Sequence, residues 1–176
     1  MIEVFDRSVL DWFQTIHNDV ATAFLSALTK LGEVGILWII VGLVMVIGLK
    51  EKKYGIIVLL SLLFCLIFGN GLLKNLVARP RPCHRFPIYD MLIAIPKDYS
   101  FPSGHTFSSV AATVCIGHWN RKWGIAAGIV AVLMMFSRMY FYVHYPTDIL
   151  AGIVLGTALA LLSIYVVEKT LVSKRP

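Results

Sequence analysis

The sequence is poor in charged residues, and this scarcity limits what the protein can be. Charged side chains make up 15% of the 176 residues, whereas a soluble domain carries about 25%. With 58% hydrophobic residues and a mean hydropathy of +0.78, the composition predicts a surface that meets hydrocarbon rather than water. We therefore expect an integral membrane protein.

Linkers, repeats and paired cysteines are also missing. No Gly/Ser-rich linker, low-complexity tract or internal repeat divides the chain, which predicts a single domain over residues 1–176. Cys65, Cys83 and Cys115 are too widely spaced to predict a disulfide framework or a zinc site. Although Cys83 adjoins His84, two ligands of a possible four are a weak indication of metal. We expect no metal and no cofactor.

The first residues lack the basic start and the defined apolar core of a signal peptide. Four apolar residues recur there at helical spacing while three charged residues lie elsewhere: Val9, Trp12, Phe13 and Ile16 against Asp6, Arg7 and Asp11. This pattern predicts an amphipathic helix in the membrane interface. A helix packed on the bundle is an equal alternative.

Apolar runs predict the membrane spans, each of which needs about 20 residues to cross a bilayer. The runs are residues 20–29, 34–49, 54–73, 99–120 with its membrane portion from Thr106, 123–137 and 149–167. The run at 20–29 is short, so it indicates either a short span or a half-buried helix. The predicted fold is all-α, a six-helix transmembrane bundle with an interfacial N-terminal helix.

The basic residues behind the net charge of +6 lie at the ends of these runs, where they anchor to lipid headgroups or line a site. We therefore expect a membrane partner and no nucleic acid. Alternation of the spans puts the N-terminus, the short basic turns at 50–53 and 121–122, and the tail with Lys174 and Arg175 on one side, which these basic turns predict to be the cytoplasm. Because spans alternate in direction, seven polar residues then share the outer face: Lys74, Arg81, Ser103, His105, Arg138, His144 and Asp148.

Three cations, Lys74, Arg79 and Arg81, lie within eight residues after the run at 54–73. Ammonium and guanidinium groups suit a phosphate dianion. Alone, this motif is more typical of headgroup anchors. A second motif, Pro-Ser-Gly-His at 102–105, begins an apolar helix, where a serine cap, a glycine and free N–H groups favour an anion. His105 would lie in the first turn, placed to donate a proton; a capped helix start with a chance histidine is the alternative.

The third motif places Arg138 six residues before His144 and His144 four residues before Asp148, with Pro146 suited to the first position of a helix. A carboxylate that accepts from one imidazole nitrogen leaves the other nitrogen as base or nucleophile. The alternative is a His–Asp pair that only stabilises the helix start.

One site would explain all three motifs together. Of ten acidic residues, only Asp90, Asp98 and Asp148 are expected on the outer face, fewer ligands than a two-metal phosphatase needs. Two histidines, one carboxylate and several cations instead suit phosphoryl transfer through a phosphohistidine. A transporter with an anion-binding vestibule is a competing interpretation, since cations at span ends also mark ion pathways.

Together the motifs, Lys-x6-Arg-Pro at 74–82, Pro-Ser-Gly-His at 102–105 and Ser-Arg-x5-His-x3-Asp at 137–148, resemble the signature of the type 2 phosphatidic acid phosphatases. The resemblance implies an outward-facing lipid phosphatase with His144 as nucleophile, Asp148 as its orienting partner and His105 as general acid. It implies five phosphate-binding residues: Lys74, Arg81, Ser103, Gly104 and Arg138. It also assigns Arg81, and not Arg79, to the family position.

The small six-span form is similar to bacterial phosphatidylglycerophosphatase B enzymes. We therefore expect a multi-pass protein of the bacterial plasma membrane that hydrolyses phosphatidylglycerophosphate. Undecaprenyl diphosphate and phosphatidic acid are the alternative substrates, and an inactive lipid-binding protein is disfavoured because every motif position is present. The sequence leaves open the oligomeric state and the roles of Arg79, His84 and Arg85.

Overall fold

The computed structural model describes residues 1–86 and 91–172, so Asp90, one of the expected outer-face acids, lies outside the described residues. Within them the chain is helical and contains no strand, as the sequence predicts. The helices are α1 (Ile2–Thr15), α2 (Asp19–Leu31), α3 (Ile36–Leu43), α4 (Lys52–Phe64), α5 (Lys74–Val77), α6 (Pro82–Arg85), α7 (Gly104–Trp119), α8 (Arg121–Tyr140) and α9 (Pro146–Val172).

Two of the apolar helices are extended by π-helical turns, α3 by Val44–Gly48 and α4 by Cys65–Leu73. A short 3₁₀ turn at Glu33–Gly35 separates α2 from α3. Gly35 has a φ of +73°, a left-handed conformation that glycine adopts without a steric penalty, so the chain can bend there.

Each of the six apolar runs contains a helix, but among the described residues fewer than six stretches qualify as spans by length and composition. Three stretches, Lys52–Arg85, Arg121–Tyr140 and Pro146–Thr170, are long and apolar enough to cross a membrane. Asp19–Leu31 and Glu33–Gly48, bent by 47°, make a fourth if the pair counts as one span. The helix of the fourth apolar run, α7, has 16 residues and falls short of the length that a span needs.

The helix α7 lies at the centre of the bundle, where it packs against α4, α8 and α9. Its close approach to α9 depends on two small residues, Gly152 and Gly156, since a Cβ on Gly156 would lie 2.5 Å from the backbone oxygen of Phe107. Small residues at such spacing allow membrane helices to pack backbone to backbone. This packing brings the N-terminal ends of α7 and α9 together.

The N-terminal helix α1 packs on α8 and α9, and its buried face differs from the predicted one. Asp6, Leu10 and Phe13 are buried, whereas Trp12 is 54% exposed. Asp6 was expected on the polar face, and this prediction is wrong because the carboxylate is fully buried among polar partners at the start of α9. Helical spacing identified the helix but not which stripe faces the bundle.

Candidate active site

One end of the bundle encloses a cavity of about 1250 Å³ between α2, α4, α7 and α8. Six of the eight predicted site residues line it: Lys74, Arg81, Gly104, His105, Arg138 and His144. The other two, Ser103 and Asp148, are fully buried. The cavity also has an apolar wall, formed by Val34, Ile39, Leu59, Leu62, Leu63 and Leu66. A ligand with a charged head and an apolar tail therefore fits this space.

His144 follows α8 and is buried between a carboxylate and a cation. Its Nδ1 lies 3.5 Å from Oδ2 of Asp148, and its Nε2 lies 2.9 Å from Nη1 of Arg81. Because a guanidinium can only donate, the hydrogen-bond network assigns the proton to Nδ1 and leaves the lone pair on Nε2. Burial, reinforced by the cations Arg81 and Arg138, lowers the pKa of His144 well below its ordinary value. A neutral imidazole therefore presents an unprotonated nitrogen.

Asp148 lies in the first turn of α9 with both oxygens engaged. Oδ2 accepts hydrogen bonds from the Ser100 hydroxyl and from the backbone N–H of Tyr145, the latter at 2.9 Å. Oδ1 lies 2.6 Å from Nη1 of Arg79. The sequence motifs predicted the His144–Asp148 pair, but they contain neither Ser100 nor Arg79.

Three buried cations lie on the side of His144 that faces away from Asp148. Lys74, Arg81 and Arg138 are each less than a tenth exposed. Arg138 donates from Nη1 to the Thr29 hydroxyl, while its Nε has no hydrogen-bond partner among the residues that the structure describes. Buried donors are normally satisfied, so this free Nε beside the cavity is suited to an anionic ligand.

Asp98 already pairs with two of these cations. It lies against Nζ of Lys74, and its Oδ1 is 2.7 Å from Nη2 of Arg81. Burial alone would raise the pKa of Asp98, but the hydrogen bond from Lys74 and the charge of Arg81 outweigh it and lower the pKa well below its ordinary value. Asp98 therefore stays ionised between Lys74 and Arg81.

The start of α7 differs in detail from the prediction. Ser103 is the N-cap residue, but within the described residues its side chain caps no N–H group and instead accepts a 3.0 Å hydrogen bond from the Thr106 hydroxyl. Gly104 faces the cavity, and a Cβ there would lie 3.3 Å from the Asn70 side chain. His105 Nε2 lies 3.2 Å from the Thr29 carbonyl, so that nitrogen carries a proton.

Comparison with known proteins identifies the family. The sequence model of the PAP2 superfamily matches residues 54–171, which include all three motifs. The chain belongs to the PAP2 superfamily. The chain is 32% identical to an undecaprenyl-diphosphatase from Sulfolobus acidocaldarius, over 85% of this chain and 73% of that protein. It is 31% identical to phosphatidylglycerophosphatase B from Bacillus subtilis, over 56% of this chain and 54% of that protein.

The fold of this PAP2 protein also has a solved counterpart. The crystal structure of a transmembrane PAP2 type phosphatidylglycerolphosphate phosphatase from Bacillus subtilis superposes with a TM-score of 0.72 at 24% identity. The match covers 99% of this chain and 88% of that chain. The family predicted from the motifs is thus confirmed, and with it a multi-pass membrane phosphatase that acts on lipid phosphates.

Two arginines outside the motif positions, Arg79 and Arg85, form ion pairs with carboxylates in this PAP2 protein. Arg79 contacts two carboxylates, Asp6 and Asp148, and is not among the described residues that line the cavity. Arg85 pairs with Glu3 at 2.9 Å on the exposed side of α1, and His84 is exposed. The sequence left the role of Arg79 open, and its buried partner Asp6 lies 73 residues away in α1.

Side chains that could bind a metal do not cluster in the part of the chain that the structure describes. There, no group of three His, Cys, Asp or Glu side chains is close enough to hold a metal ion. Cys65, Cys83 and Cys115 are all buried and unpaired. Burial suits cysteines that fill space between helices.

Proposed function

We propose that this protein hydrolyses phosphatidylglycerophosphate to phosphatidylglycerol and phosphate through a phosphohistidine on His144. The observation that carries the reaction is the environment of this ring, with the Asp148 carboxylate at Nδ1 and the buried cation Arg81 at Nε2. A lone pair directed at a site for a dianion is the arrangement that in-line attack on phosphorus requires.

In the first step Nε2 of His144 forms a bond to phosphorus while the bond from phosphorus to the lipid oxygen breaks. His105, as an imidazolium, gives one proton to that leaving oxygen and becomes neutral, and Asp148 stabilises the positive imidazolium of His144. In the second step a water attacks phosphorus, His105 takes the proton of that water, and the phosphorus–nitrogen bond breaks. Free phosphate leaves and His144 returns to its neutral form.

The negative charge that develops on phosphorus would be neutralised by the buried cations Lys74, Arg81 and Arg138. The N–H groups at the start of α7, with Gly104 at the cavity surface, would add a second, uncharged set of donors. Ser103 would act by shaping this turn. Because a nitrogen nucleophile needs no activated water for the first step, we propose a reaction without metal.

Undecaprenyl diphosphate is the second candidate substrate. The Sulfolobus acidocaldarius relative favours it, since that protein is an undecaprenyl-diphosphatase. Both candidate lipids carry two phosphate groups, and two further cations, Lys30 and Lys97, line the same cavity. Phosphatidic acid has a single phosphate and would leave these cations without a partner, which places it third.

We propose five spans through the bacterial plasma membrane: the bent pair α2 and α3 as one, then α4, α7 as a short central span, α8 and α9, with the cavity at the outer face. The number is odd because α1 contacts the start of α9 beside the cavity, so the N-terminus lies on the outer side and not with the cytoplasmic turns, where it was expected. Support comes from the short basic turns at the opposite end of the bundle. The helix α1 would lie at the outer interface with its exposed apolar residues towards lipid: Ile2, Val4, Phe5 and Trp12.

Phosphate release by the purified protein in detergent tests the reaction. With EDTA present we expect turnover of phosphatidylglycerophosphate, an acid-labile phosphoenzyme, and a loss of more than about two orders of magnitude in His144→Ala. The control is His118→Ala, at the other end of the bundle beside Glu168, which should be as active as the wild type.

Three results would contradict the proposal, each in a different part. A need for added divalent metal would refute the metal-free reaction. Near-normal turnover of His144→Ala would refute the nucleophile. Anion binding or transport without phosphate release from any lipid would indicate that the protein is a transporter with an anion-binding vestibule. Comparison of kcat/KM for the three candidate lipids then ranks the substrates.

A further inference from the structure

Arg79 lies directly behind the carboxylate that orients the proposed nucleophile. Its Nη1 is 2.6 Å from Oδ1 of Asp148, and its Nη2 is 2.7 Å from Oδ2 of Asp6. One guanidinium thus joins two fully buried carboxylates, one at the start of α9 and one in α1. A forked, planar cation is suited to such a bridge.

Asp6 is held by more than this ion pair. It accepts a 3.0 Å hydrogen bond from the backbone N–H of Thr147 and a 2.7 Å hydrogen bond from the Thr147 hydroxyl. Thr147 is adjacent to Asp148 in the first turn of α9, where a carboxylate is favoured by the helix dipole. Asp6 therefore ties α1 to the turn that carries Asp148.

The two carboxylate oxygens of Asp148 contact different partners, and both contacts fix the orientation of the carboxylate. Oδ2 faces Nδ1 of His144, while Oδ1 is held by Arg79. Rotation of the carboxylate about its own axis would break both contacts together. The ring of Tyr145 lies under the guanidinium at 3.8 Å, which fixes the plane of the fork.

We propose that Arg79 and Asp6 are positioning residues for the nucleophile. Asp6 orients Arg79, Arg79 orients Asp148, and Asp148 orients His144. The N-terminal helix is thereby part of the catalytic apparatus, although it contributes no side chain to the cavity lining. This inference rests on the proposed function, in which His144 attacks phosphorus.

The test compares kcat and KM in Arg79→Gln, Asp6→Asn and the double variant. For Arg79→Gln we expect kcat to fall about 10- to 100-fold, as a small misplacement of a reacting group does, with KM within about twofold because the phosphate-binding cations are untouched. Asp6→Asn should lower kcat less. The double variant should match Arg79→Gln, since Asp6 acts through Arg79. Arg79→Lys, which keeps the charge without the fork, should be intermediate.

Arg85→Gln is the matched control. It removes another ion pair between an arginine and α1, that with Glu3, but one that is exposed and has no contact with Asp148. Its kcat should equal that of the wild type. Folding of each variant is checked by thermal unfolding in the same detergent. If Arg79→Gln does not fold, the near-isosteric Asp6→Asn decides the question through the same kcat and KM measurement.

A folded Arg79→Gln or Asp6→Asn with normal kcat would overturn the inference, and so would independent, multiplicative effects in the double variant. A purely structural link would lower thermal stability while leaving kcat unchanged at a temperature where the protein is folded. His144→Ala in the same assay distinguishes failure of the proposed function from failure of the positioning inference. If it stays active, the proposed function fails; if it is inactive while Arg79→Gln is normal, only the positioning inference fails.

Discussion

Nη2 of Arg81 donates a 2.7 Å hydrogen bond to Oδ1 of Asp98, while Nη1 of the same guanidinium faces Nε2 of His144. The proposed nucleophile and the carboxylate therefore contact one cation from two sides. The Asp98 side chain is 53% exposed, so its carboxylate can move into solvent when another anion takes its place on the two buried cations. A substrate phosphate that binds Lys74 and Arg81 would have to displace it.

Replacing Asp98 with Asn should therefore strengthen phosphate binding. Because the pKa of Asp98 is lowered by its two cations, the carboxylate competes with phosphate over the whole working pH range. Because the Asp98 carboxylate is half exposed, we assign its ion pairs the strength of pairs at the surface, about 0.2–1 kcal/mol, and expect the inhibition constant of inorganic phosphate to fall by up to about fivefold. The measurement is competitive inhibition of lipid hydrolysis.

Glu168→Gln provides the comparison, since Glu168 is also an exposed carboxylate that pairs with a lysine, Lys53, but lies outside the cavity lining. It should leave phosphate inhibition unchanged. Weaker phosphate binding in Asp98→Asn would show instead that Asp98 arranges the cations for the ligand rather than competing with it.

The pH dependence of kcat/KM should follow His144. Burial and the cations Arg81, Arg138 and Lys74 lower its pKa well below the ordinary 6.5, so the ring remains neutral and nucleophilic in mild acid. In Arg81→Gln one of these cations is gone, and the pKa should rise towards its ordinary value. The acid limb of the profile should then move to higher pH.

Comparing wild type and variant on one lipid cancels the ionisation of the substrate itself. Arg121→Gln, at the other end of α8, should leave the limb in place. An acid limb that moves to lower pH in Arg81→Gln would contradict this electrostatic account.

The lowered pKa of His144 also affects the stability of the fold. The unfolded chain takes up a proton at His144 near pH 6.5 and the folded chain does not, so the free energy of unfolding should decrease as pH falls below that value.

The motif residues could be placed from the sequence because each lies at a fixed distance from the end of an apolar run. Parity of the spans was enough to predict that Lys74, His105 and His144 lie on one face, and they line one cavity. The mean hydropathy of a segment does not indicate where a helix bends, however. The break at Glu33–Gly35 and the shortness of α7 reduce the number of stretches that qualify as spans.

The supporting contacts could not be predicted, since they join residues far apart without any periodic pattern. Asp6 and Thr147 are 141 residues apart, and Asp6 and Arg79 are 73 apart. One clue was present: Asp6, Leu10 and Phe13 have helical spacing and form the face that α1 buries. A lone acid in an apolar stripe indicates a buried partner, but its identity depends on tertiary structure.

The contact between α7 and α9 yields a prediction about stability. Alanine at Gly156 would place its Cβ 2.5 Å from the backbone oxygen of Phe107, so the two helices would have to separate. Overpacking of this kind costs typically about 1–3 kcal/mol. Gly156→Ala should therefore lower the midpoint of thermal unfolding in detergent.

Gly128→Ala is the matched control within the same bundle, because its Cβ would meet a Thr113 methyl group at 3.6 Å, an ordinary contact. It should leave the midpoint unchanged or raise it slightly, since alanine is the better helix former. Gly156→Ala should also reduce kcat, because His105 and Asp148 lie in the first turns of the two helices that separate. Equal midpoints and equal kcat for the two variants would show that α7 and α9 can adjust to the added methyl group, and that the backbone contact does not set the position of the site.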